Sequence, residues 1–244
     1  MTKDEKDFAG TPHFIAYLDI LGYEQLVREC GIAGLSKIIY KRILASEGTA
    51  ATAREVFAEG REEHLEDFKI KIKVFSDNFF FCTRKNWKGL ITLILAFQTS
   101  MAYENILMRG ALCHGDIYFG EEFICGDGLI RAHKLENEIA IFPRVIVDDS
   151  FLAKATPTEY LTGLELLKAA GNLKIDFDGY HFINYLSIPL MREKERDALL
   201  KSHRDFVAGG LENENIRVKQ KYQWVKNYHN NFCEENGLPE EFWI

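Results

Sequence analysis

The stretch Ile70–Phe81, which reads IKIKVFSDNFFF, contains two runs of strand-forming residues on either side of the polar turn Ser76-Asp77-Asn78. β-Branched and aromatic residues favour strands, and Asp and Asn favour turns, so this stretch predicts a β-hairpin with Asp77 at its turn. A second apolar run, Phe14–Tyr23 (FIAYLDILGY), predicts a buried strand that ends near Asp19 and enters a helix through a glycine-containing turn. Each segment therefore places a carboxylate at the end of a predicted strand.

Two carboxylates in these positions are suited to binding metal ions. Carboxylate oxygens bind hard divalent cations, and the free N–H groups at a helix start bind phosphate oxygens. Asp19 and Asp77 are therefore candidate ligands of a two-metal site for phosphoryl or nucleotidyl chemistry. Each also has a structural explanation, Asp19 as a helix N-cap and Asp77 as a turn former. Their order and their neighbours favour the metal site.

The rest of the chain predicts an α+β fold around these segments. The order of predicted elements over residues 13–148 is β-α-β-β-α-β-β-α-β, which is compatible with a ferredoxin-like sandwich whose helices cover one face of the sheet. The remaining predicted elements are a helix from Gly22 towards Ala45, a solvated loop or helical insertion over 47–67, a helix over 87–107, a strand over 108–119, a helix over 129–141, a strand over 143–147 and a hairpin around Asp178-Gly179. We expect one catalytic domain over residues 1–190 and an amphipathic helical extension over 191–244 that packs on it.

Composition excludes several classes of protein. The chain has 244 residues and a formal net charge of −7, which argues against a surface that coats nucleic acid. It contains no run of about 18 uncharged apolar residues, so we expect no membrane span. The charged N-terminus, Met1–Asp7, does not have the apolar segment of a secretory signal. The five cysteines are scattered without a CxxC spacing, which indicates buried free thiols in a cytoplasmic protein.

Four motifs, in this order, resemble those of the class III nucleotide cyclase family over residues 13 to about 150. The first is Asp19–Tyr23 (DILGY), the second is Lys71–Asp77 (KIKVFSD), with Ser76 where the family has Gly, and the third is Arg109–Gly115 (RGALCHG). The fourth begins at Gly126, where the family has Asn and then Arg at successive intervals of four residues; this chain has Ile130 and Lys134. The resemblance implies a cyclase domain with an antiparallel-rich sheet and covering helices.

The resemblance also implies roles for individual residues. Asp19 and Asp77, with the carbonyl of Ile20, would bind two Mg²⁺ or Mn²⁺ ions per site. The amides of Leu21, Gly22 and Tyr23 would cradle the β- and γ-phosphates. Arg109 would contact phosphate; its position between apolar residues also favours a functional partner, because an unpaired buried charge is costly.

Stabilisation of the transition state has two candidates, and the sequence does not choose between them. Lys134 occupies the position of the family's arginine and would supply a point charge in place of a planar fork. Arg131 lies one helical turn earlier. Exposed helix charges are the alternative explanation for both.

Base recognition departs from the pattern of the purine-specific members. Lys73 retains their hairpin lysine, but Phe123 stands where they carry a base-reading aspartate, and Ile130 replaces the asparagine that orients the ribose. A phenyl ring cannot accept a hydrogen bond from the adenine amino group, so purine selectivity should be relaxed. In its size and in the segments Tyr17–Gly22 (YLDILG), Phe75–Asp77 (FSD) and Met108–Ala111 (MRGA), the chain resembles the compact, stand-alone bacterial pyrimidine cyclases of anti-phage defence (the Pycsar systems), which make cyclic UMP or cyclic CMP.

We therefore expect a pyrimidine nucleotide cyclase that acts on UTP or CTP, with UTP favoured by the resemblance alone. The family relationship implies a homodimer with sites at the subunit interface. Two alternatives stay open: a purine cyclase with an unusual pocket, and a nucleotide-binding or regulatory module without activity, which the changes at Ile130 and Lys134 would suit.

Overall fold

The computed structural model describes residues 9–58, 65–155, 165, 168, 171–187 and 192–244, with side chains throughout these ranges except 45–58 and 65–66. The chain forms an α+β fold, as predicted. Its strands are β1 (Thr11–Ile20), β2 (Lys71–Phe75), β3 (Asn78–Thr83), β4 (Met108–Phe119), β5 (Ile124–Cys125), β6 (Val145–Val147), β7 (Leu173–Ile175) and β8 (His181–Ile183). Its α-helices are α1 (Tyr23–Ala58), α2 (Leu65–Phe68), α3 (Trp87–Tyr103), α4 (Asp127–Lys134), α5 (Asp149–Lys154), α6 (Glu193–Gly210) and α7 (Ile216–Glu235). A π-helical turn, Leu135–Ile139, extends α4, and a 3₁₀ turn, Glu240–Phe242, follows α7.

The strands form a mostly antiparallel sheet in the order β2-β3-β1-β4-β6-β8-β7, with β5 paired to the end of β4. Within it, β1, α1, β2, β3, α3 and β4 make a ferredoxin-like βαββαβ unit in which each neighbouring strand pair is antiparallel. β6 then joins β4 in parallel. The predicted hairpin around Asp178-Gly179 is confirmed as β7 and β8, which extend the sheet beyond β6.

Successive side chains of β1 point to opposite faces of the sheet, and helices pack on both faces. Phe14, Ala16, Leu18 and Ile20 pack into the large apolar core that α1 and α3 share with the sheet. Ile15 points to the other face, where its neighbours include residues of α4. The prediction that helices cover only one face is therefore wrong, because α4 packs on the second face, where it helps to bury Ile15 and partly covers Tyr17.

The first helix is longer than the sequence indicated. α1 runs to Ala58 rather than stopping near Ala45, with non-helical backbone at Gly31. Residues 47–58 of the predicted insertion are therefore helical. The sequence predicts either a solvated loop or a helix there, and this part is a helix. Residues 59–64 of that insertion lie outside the described part of the chain.

The C-terminal helices pack against the sheet and α3 through an apolar cluster that includes Leu200, Val225 and Phe232. Two histidines are buried in this layer, and His203 Nδ1 lies 3.0 Å from His229 Nδ1. The expected domain boundary at residues 190 and 191 falls outside the described residues.

All five cysteines are free, as predicted, but only three of them are buried. Cys82, Cys113 and Cys233 lie in the interior, whereas Cys30 and Cys125 are exposed. Burial raises the pKa of the Cys82 and Cys113 thiols to about 12, so both stay protonated. Within the described ranges, no helix is both long and apolar enough to span a bilayer.

Candidate functional site

The register of the central strands brings the predicted residues together at one end of the sheet. Asp19, near the end of β1, pairs with Asn78 on β3 and with Arg109 on β4. Asp77 lies in the turn just before Asn78, and its carbonyl accepts a 3.1 Å hydrogen bond from Ile20 N. Two segments that are distant in sequence therefore place their carboxylates side by side, with an arginine on the third strand.

Arg109 holds two carboxylates at the centre of this cluster. Its Nε donates a 3.0 Å hydrogen bond to Asp19 Oδ2, and its Nη2 lies 2.5 Å from Glu136 Oε1, an ion pair whose angles fall short of a hydrogen bond. The three side chains are 19% (Arg109), 14% (Asp19) and 4% (Glu136) exposed. The guanidinium is thus fixed at the edge of the cluster and is only partly open to solvent.

The carboxylates of the cluster are in excess over the cation that they share. Burial raises the pKa of Asp19, Arg109 opposes this effect, and the nearby Asp77 raises the pKa further. Glu136 behaves in the same way: burial raises its pKa, Arg109 lowers it, and Asp19 and Asp77 add repulsion. Burial is the largest cause of both raised pKa values and repulsion among the carboxylates adds to it, so a cation bound beside them would stabilise their ionised forms.

Small residues on α4 explain how Glu136 reaches the cluster. A Cβ on Gly128 would lie 2.5 Å from Ile15 Cδ1 and 3.0 Å from the carbonyl carbon of Gly115, so only glycine lets the helix approach the sheet this closely. Ala132 follows one turn later and is fully buried. Glu136 continues the same helical face into the π-helical turn and so lies against the sheet beside Arg109.

The turn between β1 and α1 offers two of the three predicted phosphate-binding amides. Gly22 has a φ of +74°, a left-handed conformation that favours glycine, and Tyr23 begins the helix. Within the described residues, the N–H groups of Gly22 and Tyr23 donate to no protein acceptor. Leu21 differs, because its N–H donates a 3.0 Å hydrogen bond to the Leu107 carbonyl and is therefore occupied.

The predicted base-recognition residues lie together around the loop after β4. Lys73 Nζ donates to the carbonyls of Gly120 at 2.8 Å and Glu121 at 2.5 Å. In the same loop, Phe123 is 49% exposed, and its ring packs against Tyr118 with centroids 5.1 Å apart. Lys73 thus orders the loop that presents Phe123 to solvent.

Three predicted site residues of α4, Ile130, Arg131 and Lys134, lie outside the Arg109 cluster. Arg131 Nη1 donates a 3.0 Å hydrogen bond to Asp148 Oδ2, the carboxylate that also caps α5 through Ser150 N. Lys134 is exposed, and Ile130 is 57% exposed. In a single chain these residues face solvent, and the ion pair directs Arg131 away from Asp19.

The donor set fits a hard divalent cation that is completed by substrate oxygens. No three His, Cys, Asp or Glu side chains within the described ranges converge as a metal centre, so the protein part of a site would be Asp19 and Asp77. Mg²⁺ is commonly bound by one or two carboxylates together with substrate phosphates and water. The negative charge left over in the cluster suits such an ion, although Arg109 already occupies one oxygen of Asp19.

Two residues near the site were missed by sequence reasoning. Glu136 follows the charged segment Ile130–Leu135 and resembles a solvated helix residue. The small residues Ala132 and Gly128, one turn and two turns before it, are the signal that this face is buried. Lys221 of α7 is half-buried and interacts electrostatically with Arg109, Asp19 and Glu136. No local pattern marks it, because it comes from the C-terminal extension.

Comparison with known proteins gives matches among solved structures only. No family model matches the chain, and no curated protein matches it in sequence. A guanylyl cyclase domain from the aquatic fungus Blastocladiella emersonii shares 11% identity and a TM-score of 0.49, over 72% of this chain and 95% of that one. A bacterial light-regulated adenylyl cyclase shares 8% identity and a TM-score of 0.40, over 80% of this chain and 57% of that one.

A class III adenylyl cyclase-like ATP-binding protein from Pseudomonas aeruginosa shares 12% identity and a TM-score of 0.36, over 66% of this chain and 40% of that one. These neighbours are nucleotide cyclase domains or a cyclase-like protein. At such low similarity we take the fold from the strand order of this chain and the site from its own contacts.

Proposed function

We propose that this chain is a nucleotide cyclase that converts a pyrimidine nucleoside triphosphate, UTP or CTP, to the 3′,5′-cyclic monophosphate and pyrophosphate. The observation that carries the proposal is the meeting of Asp19, Asp77 and Arg109 at one end of a ferredoxin-like sheet. Carboxylates in excess, an arginine and free helix-start amides are the groups that a metal–triphosphate complex requires.

The reaction is an in-line displacement at phosphorus. The ribose 3′-oxygen attacks the α-phosphorus and passes its proton to water. The bond from that phosphorus to the bridging oxygen breaks, and pyrophosphate leaves with the electron pair. Asp19 and Asp77 would hold Mg²⁺ or Mn²⁺, which supplies charge neutralisation and activation of the hydroxyl when bound. Arg109, fixed by Glu136, is placed to neutralise phosphate charge without moving far.

The amides of Gly22 and Tyr23 would receive phosphate oxygens at the positive end of α1. Lys134 is the cation of α4 that is free to approach the transferring phosphorus, since Arg131 is paired with Asp148. Both Lys134 and Ile130 face solvent in a single chain. A homodimer would bring these groups against a second copy and would also cover the exposed apolar side chains Phe75 and Phe123, which are 54% and 49% exposed.

Pyrimidine selectivity is supported by the loop that follows β4. Phe123 presents an apolar ring where the purine-reading carboxylate is expected, and Lys73 is engaged with backbone carbonyls of the same loop. A pocket with this composition gives the adenine amino group no charged acceptor at that position. The resemblance to the pyrimidine cyclases of bacterial anti-phage defence leads us to extend the proposal to a second-messenger role in such a system.

One observation favours a second candidate, a nucleotide-binding module without turnover. The hydrogen bond from Arg109 Nε to Asp19 Oδ2 occupies an oxygen that a metal ion would need. If this pair persists when nucleotide binds, the chain would bind a triphosphate without cyclising it.

Turnover with each of ATP, GTP, CTP and UTP, in the presence of Mn²⁺, tests the proposal when products are separated by chromatography. Asp77→Ala should abolish product, whereas Asp116→Ala, which removes an exposed aspartate from β4, should retain it. A cyclic purine as the main product would keep the cyclase and contradict the assignment from Phe123. Absence of product from all four nucleotides, with binding retained, would favour the binding module.

A further inference from the structure

A cavity of about 810 Å³ lies between α7 and the β7–β8 hairpin. Its volume is in the range of pockets that bind nucleotide-sized ligands. Its lining includes the aromatic rings of Phe142, Phe177 and Trp224 and the basic side chains Arg217 and Lys221, which lie on successive turns of α7. The cavity therefore combines apolar surface with a local concentration of positive charge, in a chain whose net charge is negative.

Within the part of the chain that the structure describes, two basic side chains of the cavity, Arg217 and Lys221, form no ion pair, although Asp19 and Glu136 attract Lys221 from the neighbouring cluster. Asp176 pairs with the buried Arg144 and accepts a 2.8 Å hydrogen bond from Trp224 Nε1. Lys174 lies 2.6 Å from Glu235. These charges are satisfied, whereas the described residues provide no ion pair for Arg217 or Lys221.

The position of these two cations on α7 is unfavourable in the absence of a ligand. They lie in the first two turns, and the first turn contains no acidic residue to offset the positive end of the helix dipole. Lys221 is half-buried, and burial followed by repulsion from Arg109 lowers the pKa of its ammonium group, against the attraction of Asp19 and Glu136. A bound anion would relieve both costs.

Packing connects the cavity to the carboxylate cluster. Leu21, two residues after Asp19, packs against the apolar cluster that contains Trp224. Phe142, which lines the cavity, comes three residues after the π-helical turn that carries Glu136. Two residues later, the Arg144 carbonyl accepts a 3.1 Å hydrogen bond from the N–H of Gly110, the residue that follows Arg109. The cavity thus borders the site, and Lys221 lies between the two.

We propose that Lys221 and Arg217 bind the β- and γ-phosphates of the nucleoside triphosphate, so that the C-terminal helix α7 forms one wall of the active site. This inference rests on the proposed function, because that function supplies the triphosphate. Residues four apart on a helix are neighbours, which places one ammonium and one guanidinium group where adjacent phosphates of one triphosphate can contact both. The polyphosphate would then extend from Asp19 and the Gly22 turn towards the cavity.

The test is binding of inorganic tripolyphosphate to the full chain, measured by isothermal titration calorimetry with and without Mg²⁺, beside binding of UMP. Lys221→Gln should weaken tripolyphosphate binding about tenfold, because a charge-assisted hydrogen bond is lost. Arg217→Gln, at a more exposed position, should weaken it about threefold. Lys219→Gln is the matched control, since Lys219 is an exposed lysine on α7 outside the cavity. The tripolyphosphate affinity of this variant should stay within about twofold of wild type.

Comparison of tripolyphosphate with UMP separates a loss of phosphate binding from a general change in the fold of the variant. UMP affinity should change little in Lys221→Gln, and Lys221→Arg should restore most of the tripolyphosphate affinity. If Lys221→Gln unfolds, Arg217→Gln still provides the comparison because its side chain is exposed.

Failure of this inference differs from failure of the proposed function. If UTP or CTP is cyclised and Lys221→Gln matches Lys219→Gln in both tripolyphosphate affinity and KM, the phosphate site is wrong and the cyclase stands. If no nucleotide is cyclised but tripolyphosphate binding depends on Lys221, the phosphate site stands and the cyclase is wrong.

Discussion

Arg109, on β4, and Arg144, just before the parallel strand β6, each stand one residue before the paired positions Gly110 and Val145. Each guanidinium contacts two carboxylates, Asp19 and Glu136 for Arg109, and Asp176 and Asp178 for Arg144. The two clusters nevertheless differ in burial, in charge balance and in the protonation that they favour.

The Arg144 cluster is built around a guanidinium with no exposed surface, and its carboxylates, Asp176 and Asp178, are 12% and 28% exposed. Arg144 is 0% exposed and lies about 6 Å from the ring centres of Phe142, Phe177 and Trp224. Burial alone would raise the pKa of its partner Asp178, but hydrogen bonds from Arg144 and from backbone N–H groups outweigh it, and the pKa is lowered. The Arg109 cluster is partly open, contains Asp77 as an additional carboxylate, and keeps the pKa of Asp19 high.

This difference separates a structural ion pair from a binding site. A guanidinium that lowers the pKa of a carboxylate partner, as Arg144 lowers that of Asp178, stabilises its ionised form without a bound cation. A cluster whose carboxyl pKa values stay raised can gain free energy by binding a cation, as expected of functional sites. We therefore expect mutations in the Arg144 cluster to affect folding and mutations in the Arg109 cluster to affect chemistry.

Arg144→Met should have the largest effect, on stability. Removing a buried guanidinium leaves two carboxylates without their partner, and breaking such a pair costs about 3–5 kcal/mol of unfolding free energy. Urea denaturation measures the loss. Arg131→Met removes an exposed arginine that has one carboxylate partner and should cost no more than about 1 kcal/mol. A loss at Arg144 as small as that of the control would show that the two kinds of cluster do not differ in this way.

Asp19→Asn should reverse the pattern, with a large effect on turnover and little on folding. Loss of outer-shell partners of metal ligands typically lowers affinity or activity about 10–100-fold, so loss of a ligand itself should lower turnover by at least about 100-fold. The unfolding free energy at pH 7 should be unchanged or higher, because a carboxylate with a raised pKa destabilises the folded state when ionised. Turnover close to wild type in a folded Asp19→Asn protein would remove Asp19 from the site.

The pH dependence of stability should have opposite signs in the two clusters. The raised pKa of Asp19 stabilises the folded state below the unfolded value of 3.8, and this contribution is lost as pH rises through the folded pKa. The lowered pKa of Asp178 gives stability that is present above 3.8 and is lost as pH falls through the folded pKa.

Stability differences between wild type and the Asp19→Asn or Asp178→Asn variants, measured by denaturation from pH 7 down to pH 3, test these signs. As pH falls, Asp19→Asn should lose its advantage over wild type, and Asp178→Asn should recover from its deficit. Parallel curves for the two variants would mean that the carboxylates have the same environment.

Much of the Arg109 cluster could be predicted from local sequence. Asp19 and Asp77 each end a run of strand-forming residues, and antiparallel pairing of those strands brings their ends together. Arg109 stands among apolar residues, where a charge needs a partner. Each of these signals lies within a few residues of the side chain concerned.

The remaining contacts depend on tertiary register, which local sequence does not contain. Glu136 reaches Arg109 only because Gly128 lets α4 pack closely on β1 and β4. Asp176 and Asp178 reach Arg144 because the late hairpin joins the sheet beyond β6. In sequence these acids resemble solvated helix and turn residues, and a single chain offers no pairing signal to distinguish them.

Direct binding of Mn²⁺ tests most sharply whether the Arg109 cluster, and not the Arg144 cluster, is built to receive a cation. Electron paramagnetic resonance can count bound Mn²⁺ in wild type, Asp77→Asn and Asp178→Asn, each shown by circular dichroism to be folded. We predict binding to wild type and Asp178→Asn, strengthened by nucleoside triphosphate, and loss of binding in Asp77→Asn. Equal binding in Asp77→Asn and wild type, or loss only in Asp178→Asn, would contradict the assignment.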